Sequence, residues 1–175
     1  MNLAALQHLI RSAQTLAEDR SILVLGSASL LASHPALGAP DAPLATTYDA
    51  DLLIEPFEEL TAIMLDEALG EERAYYRRHG YHADILHDSI LTTLPKSWRH
   101  RLVPVPETSA HALEPHDLAA VKLLVGRPKD LNLIRRLFTD ELLKAETVKQ
   151  RLNLLDIPVE LRPRLLKSFE HIFQA

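Results

Sequence analysis

A short apolar run from Thr47 to Ile54 carries two aspartates, Asp49 and Asp51, at alternate positions. β-branched and aliphatic residues in a run of this length predict a β-strand, in which alternate side chains lie on the same face. Two carboxylates side by side repel each other unless a positive group lies between them. The pair therefore indicates a site for a hard divalent cation such as Mg²⁺. The alternative is that Asp49 only opens the strand and that Asp51 only faces solvent.

A second apolar run, Ser21–Leu25, ends at the dipeptide Gly26-Ser27. Ser27 is predicted to be the N-cap of a helix over 28–33, because its hydroxyl oxygen can accept hydrogen bonds from the first backbone N–H groups of a helix. Those N–H groups also attract anions, so this turn is suited to binding phosphates. Residues 34–46 hold three prolines and one glycine and predict a loop.

The rest of the first two-thirds of the chain alternates helices with short strands. Helical spacing of apolar residues predicts a helix over 3–19, and further strands are predicted over 81–86 and 101–105. Pro104 and Pro106 indicate that the last of these strands lies at an edge of the sheet or ends there, because proline cannot donate a hydrogen bond to a neighbouring strand.

Pro56 is predicted to begin another helix, because proline is favoured in the first helical turn. The large apolar side chains of this helix are expected to face the core: Phe57, Leu60, Ile63, Met64 and Leu65. The helix is expected to end near Gly70. Residues Arg73–His79 are expected to form the next helix, closed by Gly80.

The last third of the chain, from Glu114 onward, changes to helices alone. They are predicted over about 115–125, 129–138, 145–154 and 159–173. The expected fold class is therefore α+β, with a small mixed β-sheet flanked by helices over residues 1–113 and a C-terminal helical segment over 114–175.

Asp84 is the only acidic residue in the predicted third strand. A third carboxylate beside Asp49 and Asp51 would complete a site for two metal ions about 3.5–4 Å apart, which clamp the attacking and leaving oxygens of a displacement. The alternative role for Asp84 is to cap the turn that follows its strand.

Two lysines near the start of the helical segment are candidates for neutralising phosphate charge. Lys122 lies in an otherwise apolar helix, and Lys129 follows the break at Gly126-Arg127-Pro128. Both side chains can bind a triphosphate or take part in structural ion pairs, and the two roles stay open. Asp130 is expected to be structural, either as the N-cap of the next helix or as the partner of Lys122.

Composition narrows the classes of protein that fit. The 175-residue chain carries a net charge of −5 and has no cysteine, which excludes disulfides and thiolate metal ligands and argues against a broadly basic nucleic-acid surface. The first residues lack a basic start followed by a long apolar run, so no signal peptide is predicted. No apolar stretch approaches the roughly 20 residues of a membrane span, and a cytoplasmic protein is expected.

The order of these motifs resembles that of the DNA polymerase beta-like nucleotidyltransferases. A strand, a Gly-Ser turn and a helix come first, then an Asp-x-Asp strand, then a third Asp on a later strand. The segments GSASLL, TTYDADLLIEP, GYHADIL and LEPHDLAAVKLLVGRPKDLNLIRRL are similar to a minimal bacterial branch that includes the toxin–antitoxin-related AbiEii and MNT types. The resemblance covers residues 20–138, although the interval from Ser27 to Asp49 is longer than is usual in that family.

This resemblance implies a role for each motif. The Gly26-Ser27 turn would bind the triphosphate of an NTP, the Asp49 and Asp51 pair would hold Mg²⁺ or Mn²⁺, and Asp84 would complete the metal cluster. Lys122 and Lys129 would lie at the triphosphate, since they match the family's basic positions.

The activity implied is transfer of a nucleoside monophosphate from Mg·NTP to an acceptor hydroxyl, with release of pyrophosphate. The sequence leaves the acceptor open. A tRNA is one candidate, and a cognate protein partner is implied by the toxin–antitoxin relatives. Two alternatives also stay open: an interaction module of the same fold with weak or no turnover, and a metal-dependent phosphohydrolase that releases free phosphate.

Overall fold

The computed structural model of the protein describes residues 1–172, which include a five-stranded mixed sheet in the order β3-β2-β1-β5-β4. The strands are β1 (Ser21–Val24), β2 (Asp49–Glu55), β3 (His82–Ile85), β4 (Val103–Pro104) and β5 (His111–Ala112). β1 pairs antiparallel with β2 and parallel with β5, β2 pairs parallel with β3, and β4 pairs antiparallel with β5. The predicted α+β class is confirmed, and β4 lies at an edge as its prolines indicate.

The described part of the chain contains eight α-helices. They are α1 (Leu3–Ala17), α2 (Leu30–Ser33), α3 (Glu59–Leu69), α4 (Ala74–His79), α5 (Pro115–Val125), α6 (Pro128–Thr139), α7 (Ala145–Asn153) and α8 (Arg162–Ile172). Residue 173, where the last predicted helix ends, lies outside the described residues. None of the helices in residues 1–172 combines the length and the apolar character needed to cross a membrane.

The chain forms two compact units. The first comprises residues 1–89 and 101–114 and holds the sheet with α1–α4. The second comprises residues 90–100 together with the chain from Pro115 onward, and holds α5–α8. Within the second unit the Lys96 backbone N–H donates to the Leu154 carbonyl at 2.9 Å, which ties the segment 90–100 to the helices.

The core of the first unit forms where α1 packs on β1 and α3. One face of α1 is buried, as are the apolar residues of β1. In β2, Leu52, Leu53 and Ile54 are all buried, so the second half of this strand is covered on both faces. Each such side chain stabilises the fold by about 1.5–3 kcal/mol. Asp49 and Asp51, in the first half of β2, are only partly buried.

Helix α3 departs from the sequence prediction in where it begins. The predicted start at Pro56 is wrong, because the Glu58 carboxylate accepts hydrogen bonds from the backbone N–H groups of Leu60 and Thr61, at 3.1 and 2.8 Å, and so caps the helix at Glu59. The Thr61 hydroxyl also donates to the Glu58 carboxylate. This bond, followed by the two backbone bonds, holds the pKa of the Glu58 carboxyl below its usual value.

The buried face of α3 also differs from the prediction. Leu65 is buried as expected and Phe57 is half-buried, but Leu60, Ile63 and Met64 are exposed. The helix carries apolar residues on most of its circumference, so periodicity alone does not select a face. In the fold α3 packs on α1 and β3, and that contact buries the side of Leu65.

The segment between β1 and β2 is folded rather than extended. Ser27–Ser29 form a 3₁₀ turn before the short α2, and Pro35–Gly38 form another. The predicted N-cap role of Ser27 is wrong: Gly26 occupies the N-cap of the first turn, and that position makes no side-chain capping bond. The predicted loop 34–46 buries Leu37 and Leu44, whose backbone groups are joined at 2.9 Å.

Candidate functional site

The pairing of β2 with β3 aligns four polar residues on one face of the sheet. Asp49 is the register partner of His82, and Asp51 is the partner of Asp84. Because side chains alternate along a strand and register partners share a face, all four point to the same side. The three carboxylates predicted to act together therefore come from neighbouring positions of two adjacent strands.

Gly26, which follows the end of β1, lies against the carboxylate of Asp51. The Leu25 backbone N–H donates to the Asp51 carbonyl at 3.0 Å. A Cβ atom on Gly26 would overlap Oδ2 of Asp51 and lie 2.5 Å from its Cγ. The φ of Gly26 is −86°, which any residue can adopt, so the need for glycine here is steric. The Gly-Ser motif and the Asp-x-Asp motif are thus in direct contact although 21 residues separate Ser27 from Asp49.

His82 is a residue of this site that the sequence reasoning missed. Its side chain is 8% exposed, whereas that of Asp84 is 48% exposed, and its Nε2 lies 3.3 Å from Oδ1 of Asp84. The ring of Tyr76 packs edge-on against His82 with centroids 5.0 Å apart. The available signal was the spacing of two between His82 and Asp84, which places both on one strand face.

The other nitrogen of His82, Nδ1, is buried and has no hydrogen-bond partner among residues 1–172. A buried polar atom left unpaired costs about 1–3 kcal/mol. His87, the second histidine beside this strand, points to other partners: its Nδ1 lies 3.1 Å from Oδ1 of Asp88, and its ring packs on Phe57.

Four aromatic side chains pack together beside the start of β3. All six pairs of rings among His8, Tyr75, His79 and Tyr81 have centroids 4.6–6.2 Å apart. Nδ1 of His8 lies 2.9 Å from the Tyr81 hydroxyl and 2.8 Å from that of Tyr75. The cluster joins α1 to α4 and to the residue before His82, so it helps to set the position of the β3 strand.

This packing shifts the protonation of two members of the cluster. Burial raises the pKa of the Tyr75 hydroxyl well above its usual value, which keeps it a neutral hydrogen-bonding group. Burial, together with the charges of His8 and Arg78, lowers the pKa of His79.

Comparison with known protein families shows the family of the chain. Residues 1–172 match the family described as "Nucleotidyltransferase of unknown function (DUF6036)". The chain belongs to this nucleotidyltransferase family. No curated protein and no solved structure matches it.

The two candidate lysines of this nucleotidyltransferase lie in the helical unit. Nζ of Lys122 donates to Oδ1 of Asp130 at 2.6 Å, and Nε of Arg127 donates to Oδ2 at 2.6 Å. Lys122 and Asp130 are both buried, and Asp130 is only 2% exposed. Of the two structural roles left open for Asp130, the pairing with Lys122 is present, while Arg127 occupies the N-cap of α6. Lys129 is exposed in the first turn of α6.

The protonation of Asp130 follows from these contacts. Burial raises the pKa of its carboxyl, but the hydrogen bonds and charges of Arg127 and Lys122 outweigh burial and hold this pKa below its usual value. Asp130 is therefore an ionised carboxylate that binds two cationic side chains.

The candidate metal ligands fit a hard cation by their chemistry. Carboxylate oxygens are the protein ligands that Mg²⁺ and Mn²⁺ prefer. Asp49, Asp51 and Asp84 lie on one face of the sheet. In the described residues, no three His, Asp or Glu side chains are grouped closely enough to hold an ion as they stand. The fit therefore rests on the alignment of the two strands and on the close packing of Gly26 against Asp51.

Proposed function

We propose that this nucleotidyltransferase transfers a nucleoside monophosphate from an NTP to an acceptor hydroxyl and releases pyrophosphate, as a member of the DNA polymerase beta-like superfamily. The observation that carries the proposal is the convergence on Asp51: Gly26 packs against its carboxylate, and Asp84 is its partner on β3. These two contacts bring together the three motifs of the resemblance, which are far apart in the sequence.

The three carboxylates and the Gly26-Ser27 turn each have a role in this proposal. The carboxylates of Asp49, Asp51 and Asp84 hold Mg²⁺ or Mn²⁺, and the backbone of Gly26-Ser27 binds the triphosphate. A divalent ion bound there would polarise the α-phosphate and stabilise the charge that develops on it. Asp84, whose side chain is 48% exposed, takes the proton of the acceptor hydroxyl.

The bonds exchanged in this reaction are few. The acceptor oxygen forms a bond to the α-phosphorus, and the bond from that phosphorus to the oxygen bridging to the β-phosphate breaks. The electron pair of the broken bond leaves with pyrophosphate. Positioning and charge stabilisation, rather than covalent catalysis by the protein, therefore provide the acceleration.

Of the two lysines of the helical unit, Lys129 is the more accessible to a ligand. Lys129 is an exposed residue. Lys122 would have to break its buried salt bridge to Asp130 before its ammonium could bind a ligand. Breaking such a buried pair leaves a carboxylate without part of its counter-charge, which is costly.

The test of the proposed function uses the double variant Asp49→Asn with Asp51→Asn. We expect wild-type protein to bind Mn²⁺, measured by electron paramagnetic resonance, and at least one of ATP, GTP, CTP and UTP in calorimetry with Mg²⁺. The double variant should lose at least about tenfold in both affinities, because it removes two anionic ligands. Unchanged Mn²⁺ and nucleotide binding in the double variant would refute the proposal.

A matched control keeps the change in net charge the same. Asp19 and Asp41 are exposed residues of the first unit, and Asp19→Asn with Asp41→Asn should leave both affinities at the wild-type level. If wild-type protein binds none of the four nucleotides, the interaction-module alternative replaces the enzyme proposal. If it releases free phosphate instead of pyrophosphate, the phosphohydrolase alternative does.

A further inference from the structure

Helix α3 presents an exposed apolar stripe that the fold does not cover. Leu60, Ile63 and Met64 are spaced i, i+3 and i+4, so they lie along one side of the helix. Leu60 is 73% exposed, and Ile63 and Met64 are about half exposed. Together these three residues form the α3 apolar face. Leu65 and Leu69, on the other side of α3, supply its contact with the core.

A groove runs beside this face. Its volume is about 320 Å³, and Ile63 belongs to both the groove and the face. Phe57 and Leu86 add apolar lining, while Glu59 and Glu67 add carboxylates. The stripe and the groove together form a surface on which the apolar side of another helix can lie, a common mode of peptide recognition.

The charge around the α3 apolar face is strongly negative. Residues 55–73 contain seven acidic residues and one basic residue, so this segment carries a net charge of −6, whereas the whole chain carries −5. The one basic residue, Arg73, lies 3.4 Å from Asp66. The negative charge of the protein is therefore concentrated where apolar side chains are exposed.

This charge decides between possible occupants. A second copy docked through the same face would place two segments of charge −6 against each other, and nucleic acid or an anionic membrane would be repelled in the same way. We propose that the α3 apolar face binds an amphipathic helix of a partner protein, with apolar residues on the face and Lys or Arg residues near Glu59 and Glu67. This inference does not depend on the proposed nucleotide transfer.

The probe for this surface is a synthetic, fluorescently labelled peptide of about 18 leucines and lysines, five helical turns, with the leucines on one side. The control peptide has the same composition in an order that leaves no apolar side. Fluorescence anisotropy at about 150 mM salt, where long-range charge attraction is screened, should show the amphipathic peptide binding at least about tenfold more tightly than the control peptide.

The decisive variant is Leu60→Glu. It adds a negative charge, so binding by charge alone would become tighter, whereas docking on the apolar face would become at least about tenfold weaker. Val159→Glu is the matched control, because Val159 is 74% exposed and belongs to the helical unit. It should leave the peptide affinity unchanged. Both residues are exposed, and circular dichroism spectra equal to that of wild-type protein would show that the variants fold.

Three results would overturn the inference. The first is that neither peptide binds, or that both bind equally. The second is that Leu60→Glu leaves the affinity unchanged or tightens it. The third is self-association of wild-type protein at micromolar concentration that Leu60→Glu abolishes, measured by light scattering, because the occupant would then be a second copy of the chain.

Discussion

The Cα atom of Gly26 lies so close to the carboxylate of Asp51 that a Cβ atom would overlap Oδ2. Glycine at this position therefore determines where one candidate metal ligand can be. The contact joins the end of β1 to the first half of β2, and the register of β2 with β3 adds Asp84. The candidate site is accordingly built from three separate segments of the chain.

Gly26→Ala should disturb this arrangement directly. The added methyl group must displace the Asp51 carboxylate, and such overpacking typically costs about 1–3 kcal/mol. We expect this loss in the free energy of unfolding, measured with urea, together with weaker binding of Mn²⁺.

Gly80→Ala is the control for the Gly26 variant. Gly80 has φ +75° and no atom within 4 Å of an added Cβ. Alanine there should cost about 1 kcal/mol through backbone strain alone, with no change in Mn²⁺ affinity. Equal Mn²⁺ affinities for Gly26→Ala and wild-type protein would contradict the proposed role of the contact with Asp51.

His82→Phe should weaken Mn²⁺ binding without lowering the stability of the fold. Phenylalanine keeps the ring against Tyr76 and removes the unpaired Nδ1 atom, so stability should be unchanged or higher by up to about 1–3 kcal/mol. The same change removes the contact with Asp84, so Mn²⁺ affinity should fall. His82→Gln, which retains a donor, should restore part of that affinity. A variant that is less stable but binds Mn²⁺ normally would show that His82 is only structural.

Asp130→Asn should be strongly destabilising. It leaves the buried Lys122 ammonium without its anionic partner, and breaking a buried ion pair in this way costs about 3–5 kcal/mol. Asp140→Asn is the control, because Asp140 pairs with Arg136 at 2.7 Å on a more exposed part of α6. That change should cost no more than about 0.5 kcal/mol. Urea denaturation of the two variants measures the difference.

The effect of Asp130 should also depend on pH. Its pKa is lower in the folded protein than in the unfolded chain, so the folded state is favoured while the carboxylate is ionised. This stability is present above the unfolded pKa of about 4 and is lost as the pH falls through the lower folded value. The difference in stability between wild-type protein and Asp130→Asn should therefore narrow below about pH 4. A difference that stays constant would contradict this assignment.

His79 should make the aromatic cluster sensitive to mild acid. Its folded pKa is lowered, first by burial and then by His8 and Arg78, so protonation favours the unfolded chain. Stability should therefore fall as the pH drops below the unfolded histidine pKa of about 6.5. The melting temperature of wild-type protein should decrease between about pH 7.5 and 5.5 more than that of His79→Gln, since glutamine does not titrate. Equal decreases would contradict this origin of the pH dependence.

Much of the fold was predictable because the signals are local. A short run of aliphatic and β-branched residues predicted the strand that became β2, and helical spacing predicted the helix that became α1. Gly80 ends α4 in the left-handed conformation, as the position of a glycine after a helix indicates. Each of these features depends on the backbone preferences of a few consecutive residues.

Other features were not predictable, because they depend on partners far away in the chain. β5 is two residues long, too short for a periodicity, and exists because it pairs with β1 and β4. The exposed side of α3 is set by what α1 and β3 cover. His82 became part of the site only when the β2–β3 register placed it beside Asp49.

The residue types that could form the site are visible in the sequence alone: a glycine-serine turn, an Asp-x-Asp strand and a later aspartate. Their chemistry is a property of the side chains and needs no tertiary structure. The packing of Asp51 against Gly26 and its register pairing with Asp84 arise only in the folded protein. Strand pairing is a long-range interaction, selected by burial of the apolar residues in β1 and β2, and a shift of one residue would turn every carboxylate to the opposite face.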